Sequence, residues 1–383
     1  MKIALVHKRL DLGGGTERDL YKTVEGLRDL GHDVHLFCAE YGIAPPAGVS
    51  AHRVQVLPLG RTMRLWSFAF SVPKLLRRYP CDVVVNFGRM LSQDVIRSGG
   101  GSHRVFLQKL GAAGGVRRRL WQKISIYHRS LLALEKRQFQ PGHYKKILAV
   151  SETVKEELRI AYGVPQGSIV VIYNGVDHER FHPRLREQFR QSIRSQWQIP
   201  LDMPTVLFVG SGFRRKGLDR LLRVWRSPRM RDICLLVVGE DAQLDKYKAT
   251  VEGQSINVVF AGRQQEVHKY YGAADVVALP AVQEAFGNVV LEGLASGMPV
   301  VVSRAVGAAE VLRGRLAEGI VADPEDPDEI ETKLLTMLKR SCTSDMRSEA
   351  RELAEQYSWQ NHFLKLQCFL EALVQQDRRE CSS

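Results

Sequence analysis

Short apolar runs alternate with amphipathic stretches along nearly the whole of the 383-residue chain. Runs at 3–7, 33–37, 83–86, 147–150 and 169–173 form a first series of strand candidates. Runs at 205–209, 234–238, 257–261, 276–279 and 299–302 form a second. Helix-like segments lie between most of them. This alternation predicts an α/β fold with parallel sheets covered on both faces, and two series predict two doubly wound domains. The turn Asn174-Gly175-Val176-Asp177 and the breaker Phe181-His182-Pro183 place the boundary between 174 and 204. A polar helix is expected at 184–198. Another is expected at 345–375, where Trp359, Phe363, Leu366 and Phe369 recur near helical spacing, followed by a frayed tail.

Composition adds a sign to this picture. The chain is 44% hydrophobic and 25% charged, as in globular proteins, and its net charge of +13 calls for an anionic partner. The six cysteines show no Cys-x-x-Cys or zinc spacing, so reduced thiols in a cytosolic protein are expected. The first apolar run meets His7-Lys8-Arg9 too soon for an export signal. No run approaches the ~20 apolar residues of a membrane span, so any membrane association is expected to be peripheral.

Two glycine-rich turns follow strand candidates. Gly13-Gly14-Gly15 precedes Thr16-Glu17-Arg18, and Gly210-Ser211-Gly212 precedes Arg214-Arg215-Lys216. Glycine lets backbone approach a ligand, and the carboxyl ends of the strands are where doubly wound folds bind one. Neither turn spells the dinucleotide fingerprint, and the first also reads as a plain strand-to-helix turn. Basic residues at a helix start oppose the helix dipole, a conflict that a bound diphosphate removes. Each charge-assisted hydrogen bond to phosphate contributes ~1.5–3 kcal/mol. The other reading of Arg214-Arg215-Lys216 is a solvated charge cluster. No Asp-x-Asp segment or His/Cys/Asp cluster offers an obvious metal site, and no metal or cofactor is expected.

The densest signal is the segment from Glu284 to Glu292, with Ala285-Phe286-Gly287-Asn288-Val289 between. It follows a strand and opens a helix. The exposed amides of such a start can meet phosphate. The two carboxylates, about two turns apart, can hold sugar and ribose hydroxyls.

Together with Val238-Gly239-Glu240, the run Tyr270 to Asp275 and Gly297-Met298-Pro299, these residues resemble the retaining glycosyltransferases of family 4. Within them the chain is most similar to the bacterial lipopolysaccharide core glucosyltransferases. The resemblance implies the GT-B fold: two Rossmann-like domains facing across a cleft. It divides the chain into an acceptor domain at 1–180, to which a helix at 358–375 crosses back, and a donor domain at 181–357. It implies a UDP-sugar donor, with Arg215 and Lys216 on the diphosphate, Glu284 on the sugar, Glu292 on the ribose, and the amides of Phe286, Gly287, Asn288 and Val289 on sugar and phosphate. Gly14, Gly15 and Arg180 become donor contacts, Arg180 reading equally as a linker surface residue. His103 falls at the family's active-site histidine, though a lone histidine is as often structural. Asp19 and Asp94 are weaker candidates against capping or surface roles.

Residues 104–146 hold eleven Lys or Arg, one acid (Glu135) and interleaved Leu, Trp and Phe. Such a stretch suits an anionic membrane surface, with core packing as the second reading and nucleic acid a distant third, since no nucleic-acid motif accompanies it. The resulting expectation is a retaining, metal-independent hexosyltransferase moving a hexose from a UDP-sugar to a lipid-linked lipopolysaccharide core acceptor; the nearest resemblance points to glucose and a heptose, with galactose, N-acetylglucosamine and mannose open as donor sugars. The enzyme would work as a peripheral protein on the cytoplasmic face of the inner membrane. A UDP-sugar epimerase, a phosphorylase and a non-catalytic scaffold of the same fold are the alternatives.

Overall fold

The computed structural model describes residues 1–109 and 125–380. The chain divides into two compact units, Met1–Asn174 with Trp359–Ser383, and Gly175–Ser358. The division falls at 174/175, where the expectation had 180/181.

The first unit contains β1 (Lys2–Leu10), α1 (Gly15–Asp29), β2 (Asp33–Tyr41), β3 (Ser50–Arg53), α2 (Gly60–Leu76), β4 (Val83–Asn86) and β5 (Val95–Ser98). There follow α3 (103–109), α4 (Ile126–Gln138), β6 (Lys146–Ala149), α5 (Glu152–Tyr162) and β7 (Ile169–Val171). Its seven strands form one sheet in the order β3-β2-β1-β4-β5-β6-β7, every described pairing parallel. Ile3, Ala4, Leu5 and Val6 of the central β1 are fully buried, as a strand covered on both faces requires. One cover is the C-terminal helix Trp359–Glu380. Its Leu366, Leu370, Leu373 and Val374 lie on one face and join Leu20, Val24 and Leu27 of α1 in the core. Gly26 permits the contact: a Cβ there would sit 2.2 Å from the Phe363 ring.

The second unit contains α6 (Leu185–Gln196), β8 (Thr205–Val209), α7 (Phe213–Lys216), α8 (Leu218–Val224), β9 (Cys234–Val238), α9 (Leu244–Ala249) and β10 (Val258–Gly262). It continues with α10 (His268–Ala273), β11 (Val276–Leu279), α11 (Asn288–Ala295), β12 (Val300–Ser303), β13 (Ile320–Val321), α12 (Pro327–Ser341) and α13 (Ser344–Glu355). Six parallel strands run in the order β10-β9-β8-β11-β12-β13 around a core that includes Phe208, Trp225 and Leu334. α6 is pinned by a buried ionic cluster. Arg186, Arg190 and Arg194, one turn apart on α6, reach Asp275 at 2.8, 3.0 and 3.1 Å, and the Thr205 N–H donates to the same carboxylate.

Three strands differ from expectation. β3 reads Ser-Ala-His-Arg and β13 is two residues long, so neither carries an apolar run. β5 includes Arg97, which is buried but ion-paired to Asp19. The expected helix at 345–375 is two helices. They part at Tyr357–Ser358, where the Val176 N–H bonds the Tyr357 carbonyl at 2.8 Å and Ser358 bridges Val176. Beyond 375 the second of them continues to Glu380. Of the basic stretch at 104–146, residues 110–124 lie outside the described residues.

Candidate active site

In the second sheet, chain direction across the sheet reverses between β8 and β11, a switch point at whose carboxyl edge doubly wound folds bind ligands. Two loops occupy that edge. The first leaves β8 through Gly210 (φ 146°) and Gly212 (φ 70°), forms the single turn α7, and exits through Gly217 (φ 93°). Gly217 is obligatory, because a Cβ there would meet the Pro280 carbonyl oxygen at 2.1 Å. Lys216 folds back over Gly210, whose missing side chain leaves it room: a Cβ would lie 2.6 Å from Lys216 Cδ.

The second loop joins β11 to α11. The Val282 N–H bonds the Arg215 carbonyl, stitching the loops together. Arg215 Nη1 donates to Glu284 Oε2 at 2.5 Å and to the Gln283 carbonyl at 3.1 Å, and Lys216 Nζ stands 3.6 Å from Glu284 Oε2. Burial pushes the Glu284 carboxyl up, but Lys216 and Arg215 outweigh it and hold its pKa below the usual value. The Glu284 backbone is fixed by a bridge to Val306, and the Ala308 N–H bonds the Phe286 carbonyl at 2.7 Å. Gly287, at φ 90°, stands at the N-cap of α11 and has no side chain to offer its first amides. The Asn288 and Val289 amides therefore begin a helix beside two cations and a carboxylate. About one turn along, Glu292 accepts a hydrogen bond from the Tyr271 hydroxyl, and the Tyr271 ring meets Phe181 edge-on at 5.1 Å. Arg180 is exposed, its guanidinium 6.0 Å from the Phe181 ring. Arg215, Lys216, Glu284 and residues 286–289 are thus one cluster, and Glu292 shares α11 with it.

In the first unit, Gly14 caps α1 in extended conformation, and a Cβ on it would strike the Glu17 carboxylate at 2.2 Å, whereas Gly15 faces open space. The hydrogen bond from His7 holds Glu17 at a pKa of about 2 against the effect of burial. His103 stacks on Phe106 and His128, and its Nε2 lies 3.1 Å from His128 Nδ1. Burial lowers its pKa to about 4, so the ring is neutral at pH 7. Asp19 and Asp94 both have partners within the first unit. Asp19 accepts from Arg97 and the Asn174 amide, and Asp94 accepts from the Val84 N–H and pairs with Lys145 at 2.8 Å.

Sequence reasoning missed the role of Glu135. This buried carboxylate accepts from the N–H groups of His103 and Arg104 at 2.9 and 3.2 Å, from Arg89 at 2.8 Å and from the Tyr162 hydroxyl. It anchors the start of α3 and with it His103. Its being the sole acid among eleven bases was the available signal. Among the described residues no group of three or more His, Cys, Asp or Glu is placed to hold a metal ion. The chain's only Asp-x-Asp, Asp326-Pro327-Asp328, caps α12.

Fold and cluster together define a two-domain sugar transferase. The family described as "Glycosyl transferases group 1" matches residues 189–357, and "Glycosyltransferase Family 4" matches residues 13–180. The chain belongs to this glycosyltransferase family, with the two Rossmann-like domains of the GT-B fold. It is 30% identical over 223 residues to an uncharacterised glycosyltransferase of Methanocaldococcus jannaschii, covering 56% of this chain and only 57% of that one. It is 25% identical over 333 residues to the lipopolysaccharide glucosyltransferase WaaG of Escherichia coli, covering 86% and 87%. A crystal structure of WaaG superposes with a TM-score of 0.74 at 24% identity over 93% of this chain and 95% of that one. The Anabaena HepE structure in complex with UDP-glucose superposes with a TM-score of 0.69 at 18% identity, over 97% and 100%.

Proposed function

We propose that this glycosyltransferase moves a hexose, with retention of configuration, from a UDP-sugar to a lipid-linked saccharide of the lipopolysaccharide core. The observation that carries the reading is the convergence of Arg215 and Lys216 on Glu284 at the start of α11. On donor binding, the diphosphate takes the two cations and the first amides of α11, and Glu284 turns its acceptor oxygens to the sugar hydroxyls. Glu292, oriented by Tyr271, accepts from the ribose, and Arg180 adds positive charge to the donor. As the bond to the anomeric carbon breaks, charge develops on the departing phosphate oxygen, where Arg215 and Lys216 stabilise it. That oxygen also takes the proton of the attacking acceptor hydroxyl on the same face of the sugar, so no protein base is needed and retention follows. Two side-chain cations make the reaction independent of a metal. Neutral His103, set by Glu135 and His128, hydrogen-bonds the donor sugar or acceptor rather than acting as a cation, and the turn at Gly14 and Gly15, open at Gly15, presents backbone to the donor.

UDP-glucose is the first donor to test, because glucose is what the Escherichia coli relative's name assigns it and UDP-glucose is bound in the Anabaena structure. Calorimetric titration with UDP-, GDP- and ADP-sugars, followed by NMR of the anomeric centre formed on a heptose-containing acceptor, tests the reading. Failure to bind any nucleoside diphosphate sugar, or an inverted product, refutes it.

A further inference from the structure

The helix α2 carries apolar side chains on two opposite faces. Phe68, Ala69 and Val72 are buried, and Phe68 and Val72 join the core with Ala4, Val6 and Phe37. Leu59, Met63, Trp66 and Phe70 recur at intervals of four, three and four residues, which places them along one line on the other side. Leu59, Met63 and Phe70 are 67%, 43% and 54% exposed, as is Leu57 at 48% just before the helix. Trp66 stacks on Phe70 with ring centroids 5.8 Å apart. Among the described residues this second stripe stays outside that core, and an exposed apolar line of this kind marks a contact with something apolar.

The charges around the stripe say what that something is. Residues 57–80 contain five Lys or Arg and no acid. Lys74 and Arg77 continue the same line past Phe70, and Arg78 is exposed beside them. Arg64 pairs with Glu40 and Arg61 lies over the Tyr127 ring of α4 at 4.3 Å, whereas Lys74, Arg77 and Arg78 are exposed and enter no ion pair among the described residues. Two copies of this chain would bring like charges together on such a face. A linear Trp-Phe-Met-Leu stripe flanked by cations has the composition of a helix lying in the interface of an acidic bilayer. We infer that α2 is a membrane-docking helix, its Leu59–Phe70 stripe lying among acyl chains and Lys74, Arg77 and Arg78 against anionic headgroups. The surface differs from the basic stretch at 104–146 that the sequence singles out. Its use in catalysis rests on the acceptor being lipid-linked, but the docking does not.

Co-sedimentation of the full chain with phosphatidylcholine vesicles, with and without phosphatidylglycerol, tests it. Binding is expected only to the anionic vesicles. Met63→Ser with Phe70→Ser, and separately Lys74→Glu with Arg77→Glu, should each lower the partition coefficient at least tenfold, with UDP affinity and melting temperature unchanged. Quenching of fluorescence by brominated lipid should disappear in Trp66→Phe. Unchanged partitioning in both double variants, or no vesicle binding by the wild type, overturns the proposal. So does lipid-free self-association that the Met63→Ser, Phe70→Ser variant abolishes, which would make the stripe an interface between copies. Transfer to a water-soluble acceptor, measured in parallel, separates failure of docking from failure of the enzymatic reading.

Discussion

Replacing Lys216 by Ala removes one cation from the switch-point edge and leaves the fold intact. The side chain contributes an ammonium 3.6 Å from Glu284 and a stem laid over Gly210, with no other ion pair among the described residues. If the ammonium meets the leaving diphosphate, its loss removes a charge-assisted hydrogen bond of roughly 1.5–3 kcal/mol from the bound donor. It removes about 2.7–4 kcal/mol where the interaction strengthens as charge develops. The first figure corresponds to a tenfold to ~150-fold weaker UDP complex, and the second to a kcat lowered by about 10² to 10³. Initial rates of UDP release over a range of donor concentrations separate the two effects. Lys216 also helps to hold the Glu284 pKa down, so in the variant that carboxyl should titrate at higher pH and the acid limb of the rate profile should move up with it. A kcat/KM within threefold of wild type and an unmoved acid limb would refute the assignment of Lys216 to the phosphate.

Other outcomes follow from the same geometry. Gly210→Ala should lower activity much as Lys216→Ala does, because its Cβ displaces the Lys216 stem at a backbone φ of 146°, and kinetics of the two variants compare them. His103 should show no imidazole titration by NMR above pH 5, since burial sets its pKa at about 4. Because that value lies below the ordinary 6.5, the unfolded chain binds the proton first, and the group should reduce stability as pH falls from 6.5 toward 4, as denaturation at several pH values will show. Glu135→Ala should destabilise by roughly 3–5 kcal/mol, leaving Arg89 and two helix-start amides without their anion, and should blunt transfer through His103, with urea midpoints and rates as the measurements. Transfer should persist in excess chelator, and abolition of the rate by chelator would argue against side-chain cations as the sole neutralising charge.

Which parts of this molecule were legible beforehand follows from what each residue does locally. The buried strands 205–209, 234–238 and 276–279 read directly from their apolar runs, because a strand covered on both faces has no polar side to hide it. Arg97 hid β5, since its burial depends on Asp19 and Asn174, distant residues that no local pattern connects to it. The cluster at α11 was readable because its glycines, cations and carboxylates crowd into two short segments. The tie between them, Arg215 on Glu284, spans 69 positions and needed the fold. Asp19 and Asp94 stayed weaker candidates because their partners, Arg97 and Asn174 for the one and Val84 and Lys145 for the other, are distant in sequence and visible only in the fold. The division of the last helical stretch escaped because a strand-like bridge from Val176 interrupts it from outside.

The helix Trp359–Glu380 has a further consequence for how the protein is made. Residues 1–174 leave the ribosome first, yet Leu20, Val24 and Leu27 remain uncovered until Leu366, Leu370 and Leu373 have been synthesised. The second unit, contiguous at 175–358, can finish folding on the nascent chain while the earlier one waits. The order of synthesis and the order of completion are therefore reversed, and premature termination before residue 359 would release a chain whose N-terminal half exposes the flank of α1 to chaperones and proteases.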